Sequence, residues 1–419
     1  MTSTKVRAGI LGLAAVTLAV AACTDDSVDI FPPKHTPVSP IFASYVSLGN
    51  SITAGYQSGG INDSTQRESY AQLLAKQMGT QFNYPSLKGL GCPPPIDTFT
   101  TQHRLGGKTS GDCSLRDSTQ FAIINNVAVP GASSIDLTAA STYDANVLTS
   151  LFLGGKSQVQ KALDAQPTFA TVWMGNNDVL DAAAKGLAYL SNTGNAGEKA
   201  LLTQFASPGI TPPATFIANY RTGINQLKSQ GKLQGGVLIG VVNVTGIPLL
   251  FPAESLYTDT TFKRKFDTAA GGTVTLVPNC TGSGALLSFA VAGLMRSGTL
   301  PRVVSCMKNI PAAPIGDVFV LDTADQRIFN TNITAYNAYI KAKADSIGFA
   351  YFDPNAALAQ LKGAKLIPAY PDIFSPKAPF GAYISLDGIH PAGPAHKLIA
   401  NSLITLINAK YQTSIPAIQ

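Results

Sequence analysis

The chain has 419 residues, of which 45% are hydrophobic and 13% charged, a composition that predicts a large buried core and little disorder. Its formal net charge is +6, and removal of residues 1–22, which hold two basic residues and no acidic ones, lowers it to +4. So small a positive charge on a chain of this length argues against nucleic-acid binding.

The N-terminus has the pattern of an export signal. Lys5 and Arg7 precede an apolar run from Ala8 to Ala22 that is too short for a permanent transmembrane helix. The small and aliphatic residues before Cys23 resemble a bacterial lipoprotein box, in which the cysteine is acylated and becomes the first mature residue. We expect residues 1–22 to be a lipoprotein signal peptide, with an ordinary signal peptide and an incidental cysteine as the alternative.

Lipidated Cys23 would make the membrane a partner of this protein and anchor it in the bacterial cell envelope after export. The next residues are polar and then rich in proline, so residues 23–41 are predicted to be an extended linker. The folded domain is expected to span residues 42–411. Its length suits one large α/β domain or one domain with a substantial insertion.

The expected strands are apolar on both faces, as in a parallel sheet covered by helices. These segments are Tyr45–Leu48, Phe169–Met174, Val237–Val244 and Phe349–Phe352. Amphipathic helices are predicted between them, through Phe216–Leu227 and Ile333–Ile347, and after them through Leu398–Ile407. This alternation predicts a three-layer α/β/α, flavodoxin-like sandwich with a mainly parallel sheet and large insertions.

Two stretches fit the alternation poorly, at about residues 180–207 and 251–314, and both are interpreted as insertions on the sheet. The second contains an apolar run from Ala285 to Met295. A buried helix of the insertion is the favoured interpretation of this run. The alternative is a pocket or lid lining, which would suit an acyl chain.

Four cysteines remain after Cys23 is assigned to lipid. In an oxidising compartment an even number suggests two disulfides, and four cysteines permit three pairings. Pairing of nearest neighbours joins Cys92 to Cys113 and Cys280 to Cys306. His103 between the first two raises the possibility of a metal site, but no CxxC or HxxxH spacing supports one, so no metal or other cofactor is expected.

Four short segments carry residues suited to acyl-transfer chemistry. Ser51 directly follows the first strand in Gly49-Asn50-Ser51, where a tight strand-to-helix turn can expose a serine. Gly131 follows a strand-like segment and offers an unshielded N–H, although Pro130-Gly131 also suits an ordinary turn. Asn177 follows the second expected strand, where its side-chain amide can face the crevice at the carboxyl ends of the strands.

The fourth segment is Ser385-Leu386-Asp387-Gly388-Ile389-His390, just before the last helix. A serine nucleophile needs a histidine base and a third group that fixes the imidazole tautomer. A carboxylate three residues before the histidine can supply it. His390 is the natural base candidate, because His35 lies in the linker and His396 on the final helix.

Ser51, Gly131, Asn177 and His390 occur in the order and local contexts of the SGNH, or GDSL-type, hydrolase family, which this chain resembles from residue 49 to residue 390. The resemblance implies that Ser51 is the nucleophile, that His390 is its base and that Asp387 orients the base. It also implies an oxyanion hole formed by the Ser51 and Gly131 N–H groups and the Asn177 side chain. One departure is Asn50, where the family usually has Asp.

The resemblance implies a serine ester hydrolase that acts on a carboxylic ester, either a lipid or acyl ester or an acetylated glycan, through an acyl-enzyme. Two alternatives use the same chain differently. One is O-acyl transfer to an acceptor alcohol by the same residues. The other is a non-catalytic surface lipoprotein that binds glycans, although Ser51, Asp387 and His390 are all present.

Overall fold

Short apolar strands alternate with helices along the chain. The strands are β1 (Tyr45–Gly49), β2 (Ile96–Thr98), β3 (His103–Arg104), β4 (Phe169–Trp173), β5 (Gly235–Ile239), β6 (Leu250–Pro252), β7 (Thr275–Leu276), β8 (Leu286–Ser288), β9 (Val303–Val304), β10 (Val320–Leu321) and β11 (Ala350–Phe352). The α-helices are α1 (Ser51–Ala54), α2 (Asp63–Arg67), α3 (Tyr70–Met78), α4 (Leu148–Leu153), α5 (Gln158–Leu163), α6 (Leu180–Lys185), α7 (Ala196–Gln204), α8 (Pro213–Gln230), α9 (Ser255–Thr258), α10 (Thr260–Ala269), α11 (Val291–Arg296), α12 (Thr323–Ile347), α13 (Pro354–Gly363) and α14 (Gly393–Tyr411).

This computed structural model describes residues 35–107, 113, 123–139, 148–308 and 318–419. The expected signal peptide, Cys23 and most of the expected linker lie outside these residues. The folded body extends from Pro37 to Gln419. No helix in the described part of the chain combines the length and the apolar character that a membrane crossing needs.

Four parallel strands form the central sheet in the order β1-β4-β5-β11. An irregular segment extends the sheet beyond β1, because Ser47 N–H binds the Asn125 carbonyl and Val127 N–H binds the Ser47 carbonyl. The five members of the central sheet can be numbered in chain order, with β1 first and this segment second. Their order across the sheet is then 2-1-3-4-5, which is the flavodoxin-like order. The predicted fold class is confirmed.

Both faces of the sheet are buried, because side chains alternate between two apolar clusters. Val46 and Val172 face one cluster, together with residues of α5, α8 and α12. Tyr45 and Trp173 face the other cluster, which includes residues of α3 and α14. The four expected strands and three expected helices are therefore present, in three layers.

Strand β5 is shorter than predicted, because it ends at Ile239 rather than continuing to Val244. The side chain of Asn337 replaces the missing strand partner. Its Oδ1 accepts a hydrogen bond from Val241 N–H, and its Nδ2 donates to the Val241 carbonyl. A side-chain amide can satisfy both the N–H and the carbonyl of one residue. The apolar segment after Ile239 therefore leaves the sheet while Val241 keeps both of its backbone hydrogen bonds.

The second expected insertion builds its own small sheet, in which β8 pairs antiparallel with β6 and β10. A third apolar cluster packs around it, with Phe251, Phe266 and Met295 fully buried. The interpretation of the run from Ala285 to Met295 as one buried helix is wrong for its first part and correct for its second, and Phe289, Ala290, Ala292 and Gly293 also line a cavity, as the alternative expected. The run divides into strand β8 and part of the short helix α11, because β8 supplies the central strand of this sheet.

Two disulfides join Cys92 to Cys113 and Cys280 to Cys306, so the nearest-neighbour pairing is confirmed. The first bridge is next to the segment that carries the candidate nucleophile, since Cys92 N–H binds the Ile61 carbonyl. The second bridge lies in the apolar cluster of the insertion.

Candidate active site

Ser51, His390 and Asp387 come from opposite ends of the chain and form one hydrogen-bonded row. His390 Nε2 lies 2.8 Å from Ser51 Oγ, and His390 Nδ1 lies 2.8 Å from Asp387 Oδ2. Ser51 is 6% exposed and His390 8% exposed, so both are almost entirely buried. A serine, an imidazole and a carboxylate in this order are the arrangement that activates a serine oxygen.

The turn after β1 sets the position of Ser51. A side chain at Gly49 would meet Thr53 Oγ1 at 2.4 Å and the Trp173 carbonyl oxygen at 2.9 Å, so only glycine fits where the chain leaves the sheet. Ser51 is the first residue of α1, and the first N–H groups of a helix have no partner within the helix. The Ser51 N–H is therefore suited to bind a negative oxygen.

Asn50, the residue that departs from the resembled pattern, caps this helix. Its Oδ1 accepts a hydrogen bond from Ile52 N–H at 3.2 Å. Its Nδ2 is buried and has no hydrogen-bond partner within the described residues. An amide can thus perform the capping role, for which Asn and Asp are about equally favoured.

Asp387 is held by four hydrogen bonds besides that from the His390 ring. Gly59 N–H donates to its Oδ2, and Oδ1 accepts from Ser385 Oγ and from the Ile389 and His390 N–H groups. Burial alone would raise the pKa of Asp387, but His390 and these donors hold it well below its usual value.

An ionised Asp387 decides the tautomer of His390. An ionised carboxylate only accepts hydrogen bonds. His390 Nδ1 therefore carries a hydrogen and donates a hydrogen bond to Asp387. In the neutral ring, Nε2 is then unprotonated and accepts the hydrogen bond from Ser51 Oγ. This is the state in which the imidazole can take the serine proton.

Gly131 and Asn177 line the same crevice as Ser51 and His390. The crevice has a volume of about 390 Å³ and apolar walls that include Leu148. Gly131 has a φ of +82°, a conformation that glycine adopts without strain. Asn177 Nδ2 donates one hydrogen bond to the Ala132 carbonyl at 2.8 Å, and the second N–H of an amide remains for another acceptor.

Asp178 joins the two segments that carry these candidate donors. Its carboxylate accepts hydrogen bonds from Ser134 N–H at 2.8 Å and from Ser134 Oγ at 2.7 Å. Asn219 Nδ2 also donates to Ser134 Oγ. Burial raises the pKa of Asp178 to about 6, and the Ser134 hydrogen bonds oppose part of that rise. The segment around Gly131 is thereby fixed next to Asn177.

Sequence reasoning missed two neighbours of the triad. The Tyr56 ring lies 4.9 Å from the His390 ring, measured between centroids, and Gly59 N–H binds Asp387. Both follow Ser51 within eight residues, but nothing in their spacing points to His390. Burial raises the pKa of Tyr56 to about 12, and the Asp387 charge contributes to that rise.

No group of three or more His, Cys, Asp or Glu side chains that could hold a metal ion occurs in the described ranges.

A family model for the GDSL-like lipase/acylhydrolases matches residues 45–403 of this chain. The chain belongs to this family. The membership makes it a carboxylic-ester hydrolase. A comparison of the sequence with curated proteins found no significant match.

Solved structures of low sequence identity match this chain over most of its length. An acetylxylan esterase from Geobacillus stearothermophilus is 11% identical, with a TM-score of 0.35 over 87% of this chain and 93% of that one. A phospholipase A1 from Streptomyces albidoflavus is 14% identical, with a TM-score of 0.35 over 88% and 99%. An extracellular lipase from Streptomyces rimosus is 13% identical, with a TM-score of 0.32 over 87% and 98%.

Proposed function

We propose that this protein hydrolyses carboxylic esters with Ser51 as nucleophile, His390 as general base and acid, and Asp387 as the group that orients His390. The observation that carries the proposal is the continuous row of hydrogen bonds from Ser51 Oγ through both nitrogens of His390 to Asp387. Each residue has the hydrogen-bond partner that its role requires.

In the first half of the reaction, Ser51 Oγ attacks the ester carbonyl carbon while its proton moves to His390 Nε2. The carbonyl oxygen becomes an oxyanion, which the Ser51 and Gly131 N–H groups and the free N–H of Asn177 stabilise. When the tetrahedral intermediate collapses, the carbon–oxygen bond to the alcohol breaks. The alcohol leaves with the proton from His390, and the acyl group remains on Ser51.

In the second half, a water molecule gives a proton to His390 Nε2 and attacks the acyl-enzyme carbonyl. A second tetrahedral intermediate forms at the same donors. Its collapse releases the carboxylic acid and returns the proton to Ser51 Oγ. The positive charge on the His390 ring in both halves is stabilised by Asp387, which is already ionised in the resting enzyme.

The test is Ser51→Ala, measured with 4-nitrophenyl acetate. Removing the nucleophile of a triad is expected to lower turnover by several orders of magnitude while the fold remains. His390→Ala should have a similar effect. The proposal is wrong if purified wild-type protein turns over the ester at a rate within tenfold of that of Ser51→Ala.

We also propose that the protein is exported and held in the cell envelope by lipid on Cys23, with residues 1–22 removed. The charged start, the short apolar run and the small residues before Cys23 support this proposal. Mass spectrometry of the N-terminal peptide from exported protein is expected to find acylated Cys23. An unmodified Cys23 in that peptide would contradict the proposal.

A further inference from the structure

A second cavity opens from the candidate active site. It has a volume of about 450 Å³ and shares Gly131 and Asn177 with the Ser51 crevice. We call it the polar pocket, because hydroxyl, amide and carboxylate side chains line it. These residues are Ser133, Asp136, Asp178, Ser191, Thr215 and Asn219. A group attached to an ester at Ser51 can therefore enter this pocket past the oxyanion donors.

Apolar substrate groups have a different cavity available, which we call the insertion pocket. It has a volume of about 660 Å³, and its apolar lining comes from the insertion and the segments near it. Its lining includes Asp387 but none of the residues around the Ser51 crevice. Asp387 is hydrogen-bonded to His390 Nδ1, and Ser51 is hydrogen-bonded to His390 Nε2. The insertion pocket, which Asp387 lines, therefore begins on the side of the imidazole away from the nucleophile.

The charge of the polar pocket restricts what it can hold. Asp136 and Asp178 are 5% and 2% exposed, and the described lining residues include no Lys or Arg. A phosphate or carboxylate placed here would face two carboxylates and no cation, which is unfavourable at low dielectric. Hydroxyl groups, in contrast, can donate to the carboxylates and accept from Asn219 and the serine and threonine hydroxyls.

Ser134 and Asp178 bind each other, so the pocket wall is rigid before any ligand arrives. Asp136 is held in a similar way, because Ser133 donates to it from both N–H and Oγ. Prearranged polar groups around a cavity of this size are typical of sites that recognise a small polar ligand. The crevice itself, with Leu148 and Leu180 among its walls, suits a short acyl group.

We propose that the polar pocket is a substrate subsite for a neutral, hydroxyl-bearing group such as a sugar ring, while a short acyl group occupies the Ser51 crevice. The substrate is thus an acylated carbohydrate rather than a long-chain lipid ester. This inference rests on the proposed ester hydrolysis, and it assigns Asp136, Asp178 and Asn219 to recognition.

The test compares two neighbouring positions at the start of α8. Thr215 lines the polar pocket and Ala214 does not, and both are exposed. Thr215→Phe places a ring at the pocket, whereas Ala214→Phe adds the same ring on the same helical turn outside it. Both variants and the wild type are measured with O-acetylated methyl glucoside and with 4-nitrophenyl acetate, which has no sugar.

Thr215→Phe is expected to lower kcat/KM for the acetylated glucoside, mainly through KM, at least tenfold more than it lowers kcat/KM for 4-nitrophenyl acetate. Ala214→Phe should change neither by more than twofold. An equal effect of Thr215→Phe and Ala214→Phe on the glucoside would overturn the subsite. If the wild type hydrolysed 4-nitrophenyl acetate but not the glucoside, the subsite would also be overturned and the proposed hydrolysis would stand. Inactivity on both esters would instead contradict the hydrolysis itself.

Two further substrates test the charge and the length of the bound group. An O-acetylated methyl glucuronoside, which adds a carboxylate, is expected to react at least tenfold more slowly than the neutral glucoside, and equal rates would contradict the role given to the two carboxylates. With 4-nitrophenyl decanoate, kcat/KM should not exceed that of the acetate.

Gly293 of α11 lines the insertion pocket and has open space where a side chain would begin. Gly293→Phe should leave turnover of both nitrophenyl esters within twofold of the wild type. Gly363→Phe, at a helical glycine with equally open space that does not line the pocket, is the matched control. If the wild type preferred the decanoate, and Gly293→Phe reduced that preference while Gly363→Phe did not, the substrate would belong in the insertion pocket. That result would overturn the proposal.

Discussion

The carboxyl edge of the central sheet and the insertion around β6, β8 and β10 are stabilised by different interactions. At the sheet edge, buried polar groups such as Asp178 and Asp387 each accept several hydrogen bonds from neighbouring segments. In the insertion, Phe251, Phe266 and Met295 pack around a disulfide with few buried charges.

This difference follows from the kinds of interaction available to each region. Burying an unpaired charge costs free energy, and the buried carboxylates of Asp178 and Asp387 at the sheet edge each accept hydrogen bonds from several donors. Apolar packing has no such directional requirement, and a cluster tolerates many arrangements of the same residues. Substitutions of the catalytic groups at the sheet edge should act on rate, and substitutions in the insertion should act on stability.

After the losses expected for Ser51→Ala and His390→Ala, the largest effect is expected at Asp387. Asp387→Asn keeps the size of the side chain but removes the charge that stabilises the protonated His390 ring and fixes its tautomer. Turnover of 4-nitrophenyl acetate at neutral pH should fall by about 10² or more, with KM close to that of the wild type. Melting temperature is measured on the same preparation. A lowered melting temperature with unchanged turnover would remove Asp387 from the triad.

Asn177→Ala should have the next largest effect. Loss of one oxyanion donor typically lowers kcat by about 10² to 10³. KM should change little, because the donor acts mainly on the transition state. Steady-state kinetics with 4-nitrophenyl acetate separates the two constants. If KM alone changed, Asn177 would be a binding residue, and the oxyanion hole as proposed would be wrong.

In the insertion, replacement of both Cys280 and Cys306 by Ser should act on stability. The bridge closes a loop of 26 residues, and the chain-entropy model gives about 3 kcal/mol for a loop near this length. Denaturant unfolding measures the loss, and turnover at 25 °C should stay within twofold of the wild type. A large loss of turnover in the folded double variant would show that the insertion contributes to the active site.

The smallest effect concerns the pH dependence of stability at Asp178. Burial raises its pKa from 3.8 to about 6, so the folded protein binds this proton more tightly than the unfolded chain does. The contribution of Asp178 to stability is therefore complete below about pH 4 and is lost as the pH rises through about 6.

Asn does not titrate. The melting temperature of the wild type minus that of Asp178→Asn should therefore decrease as the pH rises from 4 to 7. Asp345→Asn, at an exposed side chain paired with Lys341, is the surface control. A difference that rises over the same range would show that hydrogen bonds to the ionised form outweigh its burial.

The order of elements and the candidate residues were readable from the sequence alone. Apolar runs with no polar face, such as Phe169 to Trp173, fit only a strand covered on both sides, and this physical constraint is local. The pairing of cysteines separated by 21 and 26 residues followed from proximity along the chain. Asp387 lies three residues from His390, so their contact was also within reach of a spacing argument.

Only the tertiary structure decided what depends on contacts between distant segments. Ser51 and His390 are 339 residues apart, and the hydrogen bond of Gly59 to Asp387 spans 328 residues. The first part of the run from Ala285 to Met295 forms strand β8 because β6 and β10 lie on either side of it, which its own hydrophobicity does not encode. The polar pocket likewise exists only because the segments around Gly131, Asn177 and Asn219 meet, so its chemistry belongs to the fold rather than to any motif.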